Sequence, residues 1–127
     1  WAERAVRAVA SAFPNVKYET WSECARLLPH ARVCVELIEQ WKMTFAEAAR
    51  LLNQTGWYLR ERVQYAEAEP LIQRALKMNE QVLGLEDAAV AYSLNNLAEL
   101  YRVQGKYEQA EPLFQRASAV YEKVLVH

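Results

Sequence analysis

The sequence predicts an all-α fold, a solenoid made of repeated pairs of antiparallel helices. Only three glycines and four prolines are spread singly through 127 residues, so the chain lacks the dense turns of a β-sandwich or barrel. Apolar residues recur at helical spacing along most of the chain. The stretch YAEAEPLIQRAL at residues 65–76 returns as YEQAEPLFQRAS at residues 107–118, and a fixed period of this size is typical of a solenoid.

The repeated stretch sets the period at 42 residues, the separation of Tyr65 and Tyr107. We expect three units of two helices each, and each unit buries its apolar face by stacking on its neighbours. The units are predicted to span residues 1–42, 44–84 and 86–127. Their six helices are predicted at about residues 2–13, 20–41, 44–62, 65–83, 87–105 and 107–126.

Local signals mark the helix ends. Thr44 followed by Glu47 forms a capping box for the third helix. Gly84 lies just past the fourth helix, where it can act as a C-terminal cap. Asp87 is the predicted N-cap of the fifth helix, and Gly105 closes that helix.

Small residues are predicted at the close crossings of the paired helices. Gly56 and Ala98 occupy the first helices of the second and third units, and Ala68 and Ala110 occupy the second helices. A small side chain at these positions lets two helix backbones approach each other.

The first unit is a degenerate copy of the later ones. Its second helix reproduces their apolar spacing, with Trp21, Cys24, Leu28 and Ala31 in the places of Tyr65, Ala68, Ile72 and Ala75. Because the chain opens on Trp1 rather than Met, we expect it to be a fragment of a longer protein.

The third unit resembles the tetratricopeptide repeat. The residues that fill the pattern of that repeat, in order, are Leu94, Leu97, Ala98, Tyr101, Gly105, Tyr107, Ala110, Phe114 and Ala117. The usual repeat has about 34 residues, and the longer period here is similar to the kinesin-light-chain-like class. The resemblance implies a right-handed superhelical solenoid. The second unit departs from the pattern, since Thr55 replaces the expected leucine and Val63 replaces the turn glycine.

Composition argues against several other classes of protein. A net charge of -1 provides no global basic field for nucleic acid. No apolar run approaches the roughly 18 residues that a membrane span requires. Cys24 and Cys34 are too far apart on one predicted helix to form a disulfide, which favours a reducing, cytoplasmic setting. His30 and His127 lack ligand clusters and no phosphate loop is present, so we expect no metal, no cofactor and no catalysis.

A stripe of polar and aromatic residues on the first helix of each unit is the predicted binding groove. The resemblance implies that this stripe faces the concave side and receives an extended peptide, whose backbone is bonded by asparagines. Trp57 and Tyr92 are typical of anchors in a recognition groove, although such a stripe can also be a merely solvated face. The predicted groove residues are Arg4, Arg7, Arg50, Asn53, Trp57, Arg60, Tyr92, Asn95, Asn96, Glu99 and Arg102.

The predicted partner is a protein or peptide segment, and five arginines against one glutamate in the groove favour an acidic one. The stretches WAERAVRAVASAFP, LLPHA and AARLLNQTGWYLRERVQYAEAEPL resemble the C-terminal region of bacterial signal-transduction NTPases, in which such repeats follow an NB-ARC-type domain. That resemblance implies a sensor role. The alternative is a self-assembling scaffold, because an uncapped C-terminal end with Phe114, Val120, Val124 and Leu125 favours homo-oligomers.

Overall fold

Six α-helices make up the fold, which a computed structural model describes for residues 1–126. The helices are α1 (Ala2–Ala12), α2 (Trp21–Gln40), α3 (Ala46–Glu61), α4 (Tyr65–Leu83), α5 (Ala88–Val103) and α6 (Tyr107–Val126), and a short 3-10 helix, Tyr18–Thr20, precedes α2. No strand occurs within residues 1–126. The all-α prediction is confirmed, and the helix bounds agree with it to within two residues. The predicted end of the third unit at His127 lies outside the described residues.

The helices pack as three consecutive hairpins. α1 packs on α2, α3 on α4, and α5 on α6. The hairpins are joined by contacts of α1 and α2 with α3 and by contacts of α3 and α4 with α5. The first helices of the hairpins therefore form a layer of their own, and the predicted groove residues lie on that layer.

The crossing of α3 and α4 requires a glycine. A Cβ atom at Gly56 would lie 2.5 Å from Cγ1 of Ile72 and 3.4 Å from the carbonyl oxygen of Ala68. This close approach confirms the crossing predicted for Gly56 and Ala68. Ala98 and Ala110, which lie 42 residues later, are both buried.

Two of the predicted helix caps are confirmed. Asp87 Oδ1 accepts a hydrogen bond from the Ala89 backbone N–H at 2.8 Å, as an N-cap does. Gly84 ends α4 at a φ of 86°, in the left-handed region that a glycine C-cap provides.

The capping box predicted at Thr44 and Glu47 is wrong. α3 begins after Phe45, and no side chain caps it. The Thr44 hydroxyl instead lies 3.5 Å from the carbonyl oxygen of Lys42. Glu47 is drawn away because it forms an ion pair with Arg7, whose guanidinium also lies 4.2 Å from the ring centroid of Phe45.

One hydrophobic core runs through all three hairpins. In the first hairpin Cys24 and Ala31 are fully buried, as are Ala68 and Ala75 in the second. Both cysteines of the chain are buried free thiols, and burial raises the pKa of Cys24 and of Cys34. Buried thiols with raised pKa values are poor nucleophiles at neutral pH, which agrees with packing as their role.

A membrane span needs a long and apolar helix. Within residues 1–126 no helix meets both conditions.

Candidate binding groove on the inner helices

An open cavity of about 520 Å³ lies where α3, α5 and α6 meet. Its lining residues are Trp57, Arg60, Tyr92, Asn95, Asn96, Glu99 and Phe114. All of them except Phe114 belong to the predicted groove set. Phe114 was missed because its spacing places it on the apolar stripe of α6, and only its half-buried position in the structure shows that it borders the cavity.

Two aromatic rings form one wall of the cavity and are held from behind. The centroids of the Trp57 and Tyr92 rings are 6.0 Å apart and the ring planes are tilted by 43°. Trp57 Nε1 donates to Glu61 Oε1 at 3.1 Å, and the Tyr92 hydroxyl accepts from Gln54 Nε2 at 3.1 Å. Burial raises the pKa of Tyr92, so its phenol stays neutral at physiological pH. Both polar atoms are thus satisfied within the chain, which leaves the ring faces for a ligand.

Arg60 supports the Trp57 ring from the side of the cavity. Its guanidinium carbon lies 5.1 Å from the centroid of that ring, a distance suited to a cation–π contact. Nη2 donates to Glu61 Oε1 at 3.1 Å and Nη1 donates to Asn96 Oδ1 at 3.4 Å. The Arg60 charge is therefore neutralised by a neighbour on the same helix.

Asn95 is the polar group of the cavity with unused hydrogen-bonding capacity. Its half-buried side chain has no hydrogen-bond partner among residues 1–126. Glu99, by contrast, accepts from Arg102 Nε at 2.9 Å and forms a second contact with Arg102 Nη2. The hydrogen bond from Arg102 lowers the pKa of Glu99, so this carboxylate is ionised and paired.

The prediction that Asn53 contacts a ligand is wrong. Asn53 is only 2% exposed, and its Nδ2 donates to the Ser93 hydroxyl at 2.8 Å. Asn79 donates to the same hydroxyl at 2.9 Å. Asn96 Nδ2 lies 3.3 Å from both the backbone and the side-chain oxygen of Asn53. Asn96 lines the cavity, but its amide N–H groups serve this network, which ties the second hairpin to the third.

Arg50 also has a structural role instead of the predicted one. Its Nη1 donates to the carbonyl oxygens of Ala10 at 2.6 Å and Phe13 at 3.1 Å, and Nη2 donates to Asn15 Oδ1 at 3.3 Å. The last carbonyls of a helix lack partners within that helix, and Arg50 supplies partners for the end of α1. It does not line the cavity.

The two arginines of α1 lie outside the cavity as well. Both are exposed. Arg7 pairs with Glu3 at 2.8 Å and also with Glu47, whereas Arg4 has no polar contact among residues 1–126. Four of the five arginines that the sequence placed in a basic groove are therefore engaged within the chain.

Stacked helical hairpins with a cavity on their inner layer define an α-helical repeat protein built for binding. The chain belongs to the tetratricopeptide repeat family, whose model, described as Tetratricopeptide repeat, matches residues 47–123. That match covers the second and third hairpins from Glu47 in α3 to Lys123 in α6. Repeats of this family generally mediate protein–protein interaction. No curated protein matches the chain.

Proposed function

We propose that this chain is a non-catalytic module that binds an extended segment of a partner protein in the cavity between α3, α5 and α6. The observation that carries this proposal is the pair of aromatic rings whose polar atoms are satisfied from behind. Rings held in this way lose little conformational entropy on binding. A cavity of about 520 Å³ also falls in the range typical of ligand sites.

In the proposed complex an apolar side chain of the partner lies against Trp57, Tyr92 and Phe114. The unpartnered amide of Asn95 bonds the backbone of the segment, donating through Nδ2 and accepting through Oδ1. The aromatic contacts supply most of the affinity, as anchors do in other interfaces. Preference for an acidic segment is weak in this arrangement, because Arg60 and Arg102 are already paired with Glu61 and Glu99.

The proposed setting is the sensor part of a larger cytoplasmic signalling NTPase, with repeats of the kinesin-light-chain-like class. Its support is the 42-residue period and the resemblance of the chain to the C-terminal region of such proteins. In this setting the repeats bind a ligand protein and another part of the parent carries the nucleotide site.

A second candidate function is self-association through the outer face of α6. Leu125 is 84% exposed and Val124 is 41% exposed, which favours burial against another molecule. Val120 was predicted to share this exposed face, but it is buried in the hairpin instead. The apolar face is therefore confined to the last turns of α6.

A library of random ten-residue peptides, each with one central apolar residue, tests the groove. We expect Trp57→Leu to weaken the peptides that bind best by at least about tenfold, the loss typical of an anchor residue. Trp41→Leu is the matched control, because Trp41 is exposed and lies outside the cavity. Equal binding by Trp57→Leu and wild type would remove this cavity from the proposal. Light scattering on the same samples distinguishes the two functions, since a mass that rises with concentration without peptide binding supports self-association.

A further inference from the structure

We propose that Arg60 and Trp57 form a carboxylate-binding site in the groove, which Glu61 fills in the unbound protein and which an acidic side chain of the partner takes over. This inference rests on the proposed function and names both the class of partner group and the residue that competes with it. The central observation is that one oxygen, Glu61 Oε1, receives N–H groups from both Trp57 and Arg60, each at 3.1 Å.

The two donors are well suited to hold a carboxylate. The indole nitrogen donates only one hydrogen bond, and the guanidinium presents five N–H groups in a fixed plane. Charge-assisted bonds from arginine to a carboxylate are shorter and stronger than those between neutral groups. Asn96 Oδ1 and the Trp57 ring hold Arg60 from other directions, so the donors remain in place when the carboxylate changes.

Exposure shows which member of the pair can leave. The Arg60 side chain is 10% exposed, whereas that of Glu61 is 39% exposed. Glu61 is the last residue of α3, and it does not line the cavity, although Arg60 and Trp57 both do. A carboxylate arriving from the cavity can thus reach the donors while Glu61 turns out into water.

The nearly buried guanidinium explains why a carboxylate is needed in both states. Leaving a buried charge without its partner is strongly destabilising. Glu61 meets this need in the unbound protein, and the ligand carboxylate meets it in the complex. The exchange keeps the number of bonds to Arg60 and Trp57 constant, so an acidic ligand gains little over its amide analogue in the wild type. Glu61 competes at the high effective concentration of an intramolecular group.

The third hairpin does not repeat this arrangement. The residue 42 positions after Glu61 is Val103, and Arg102 pairs instead with Glu99, three residues earlier on the same helix. Glu99 itself lines the cavity. Displacement by a ligand is therefore specific to Arg60 and Glu61 in the second hairpin.

Acetate is a suitable probe because it is a carboxylate without a peptide. The indole N–H signals of the four tryptophans are followed by NMR during an acetate titration, and Trp57→Phe identifies the Trp57 signal. In Glu61→Ala we expect this signal to shift saturably at an acetate concentration at least about tenfold lower than in wild type. Glu36→Ala removes an equally charged, exposed residue of α2 and should behave as wild type.

Glu61→Gln keeps the shape of the side chain without its charge and replaces Glu61→Ala if that variant does not fold. Absence of a saturable acetate shift in the folded variants overturns the inference. A peptide arm uses two libraries that differ only in a central Glu or Gln. Glu61→Gln should raise the ratio of Glu-library to Gln-library binding by about tenfold, and Glu36→Gln should leave it unchanged.

The two arms separate the two proposals. If acetate binds as expected but neither library binds any variant, the proposed function fails and the carboxylate site stands. If both libraries bind but their ratio and the acetate response are the same in all variants, the groove stands and the role of Glu61 is overturned.

Discussion

The second and third hairpins make the same turn with different residues. Val63 lies at a φ of 62° and Gly105, 42 residues later, at 79°. In each turn the next residue donates its backbone N–H five positions back, from Gln64 to Leu59 at 2.9 Å and from Lys106 to Tyr101 at 2.8 Å. A β-branched residue is strongly disfavoured in this left-handed conformation. Packing of the two helices therefore imposes the turn, even where the local residue opposes it.

The neighbours of the two hairpins explain this difference in tolerance. The second hairpin packs against α1 and α2 on one side and against α5 on the other. Among residues 1–126, the third hairpin has such a neighbour on one side only. Contacts on both sides over-determine the conformation of the second hairpin, so we expect local defects to be tolerated there and overpacking to be costly.

The largest expected effect is overpacking of the helix crossings. Ala68→Leu should lower the free energy of unfolding by about 3 kcal/mol, at the upper end of the range for extra methylenes in a packed core. Ala110→Leu should cost less, about 1 to 2 kcal/mol, because α6 can shift away from α5 on its uncovered side. Urea denaturation of both variants measures the difference. Gln109→Leu, next to Ala110 but exposed, is the control.

An equal cost for Ala68→Leu and Ala110→Leu would show that the two hairpins are held equally tightly. If neither variant is less stable than Gln109→Leu, the close crossings themselves are contradicted.

The next effect exchanges the two turn residues. Gly105→Val should destabilise the protein by about 1 to 2 kcal/mol, the cost of a left-handed conformation with a Cβ atom. Val63→Gly should stabilise it, but by less, because glycine also gains entropy in the unfolded chain. Thermal melts of the two single variants and of the double variant measure both effects. A loss of stability in Val63→Gly would mean that the valine side chain makes a contact that outweighs the strain.

The sequence was sufficient for features that depend on local chemistry. Asp87 and Gly84 carry signals that act within one helical turn, and Gly56 identifies the close crossing through the repeat alone. The roles of Arg50 and Asn53 depend instead on the rotation of α3 between its neighbours. Both share the polar stripe of Trp57, yet one bonds the end of α1 and the other Ser93 of α5. A stripe wide enough to face a ligand also includes positions that face adjacent helices.

Charge in the groove was overestimated for a related reason. The count of five arginines against one glutamate considered only residues of the predicted stripe. Glu61 and Glu47 neutralise Arg60 and Arg7 from positions beside that stripe. Long side chains reach across helix faces, so the residues of one stripe do not determine its charge.

The smallest of these effects concerns Thr55, which occupies the position of Leu97 in the third hairpin. Thr55 is fully buried, and its hydroxyl has no hydrogen-bond partner among residues 1–126. Thr55→Val keeps the branched shape and removes the unsatisfied group, so it should stabilise the protein by about 1 kcal/mol. Helix propensities of threonine and valine are similar, which leaves the hydroxyl as the main difference. Thr20→Val is the control, because the Thr20 hydroxyl donates to the carbonyl oxygen of Asn15 at 2.8 Å and its loss should destabilise. The midpoint of urea unfolding measures both, and a destabilised Thr55→Val would show that the hydroxyl has a partner, such as a buried water, that joins the second hairpin to its neighbours.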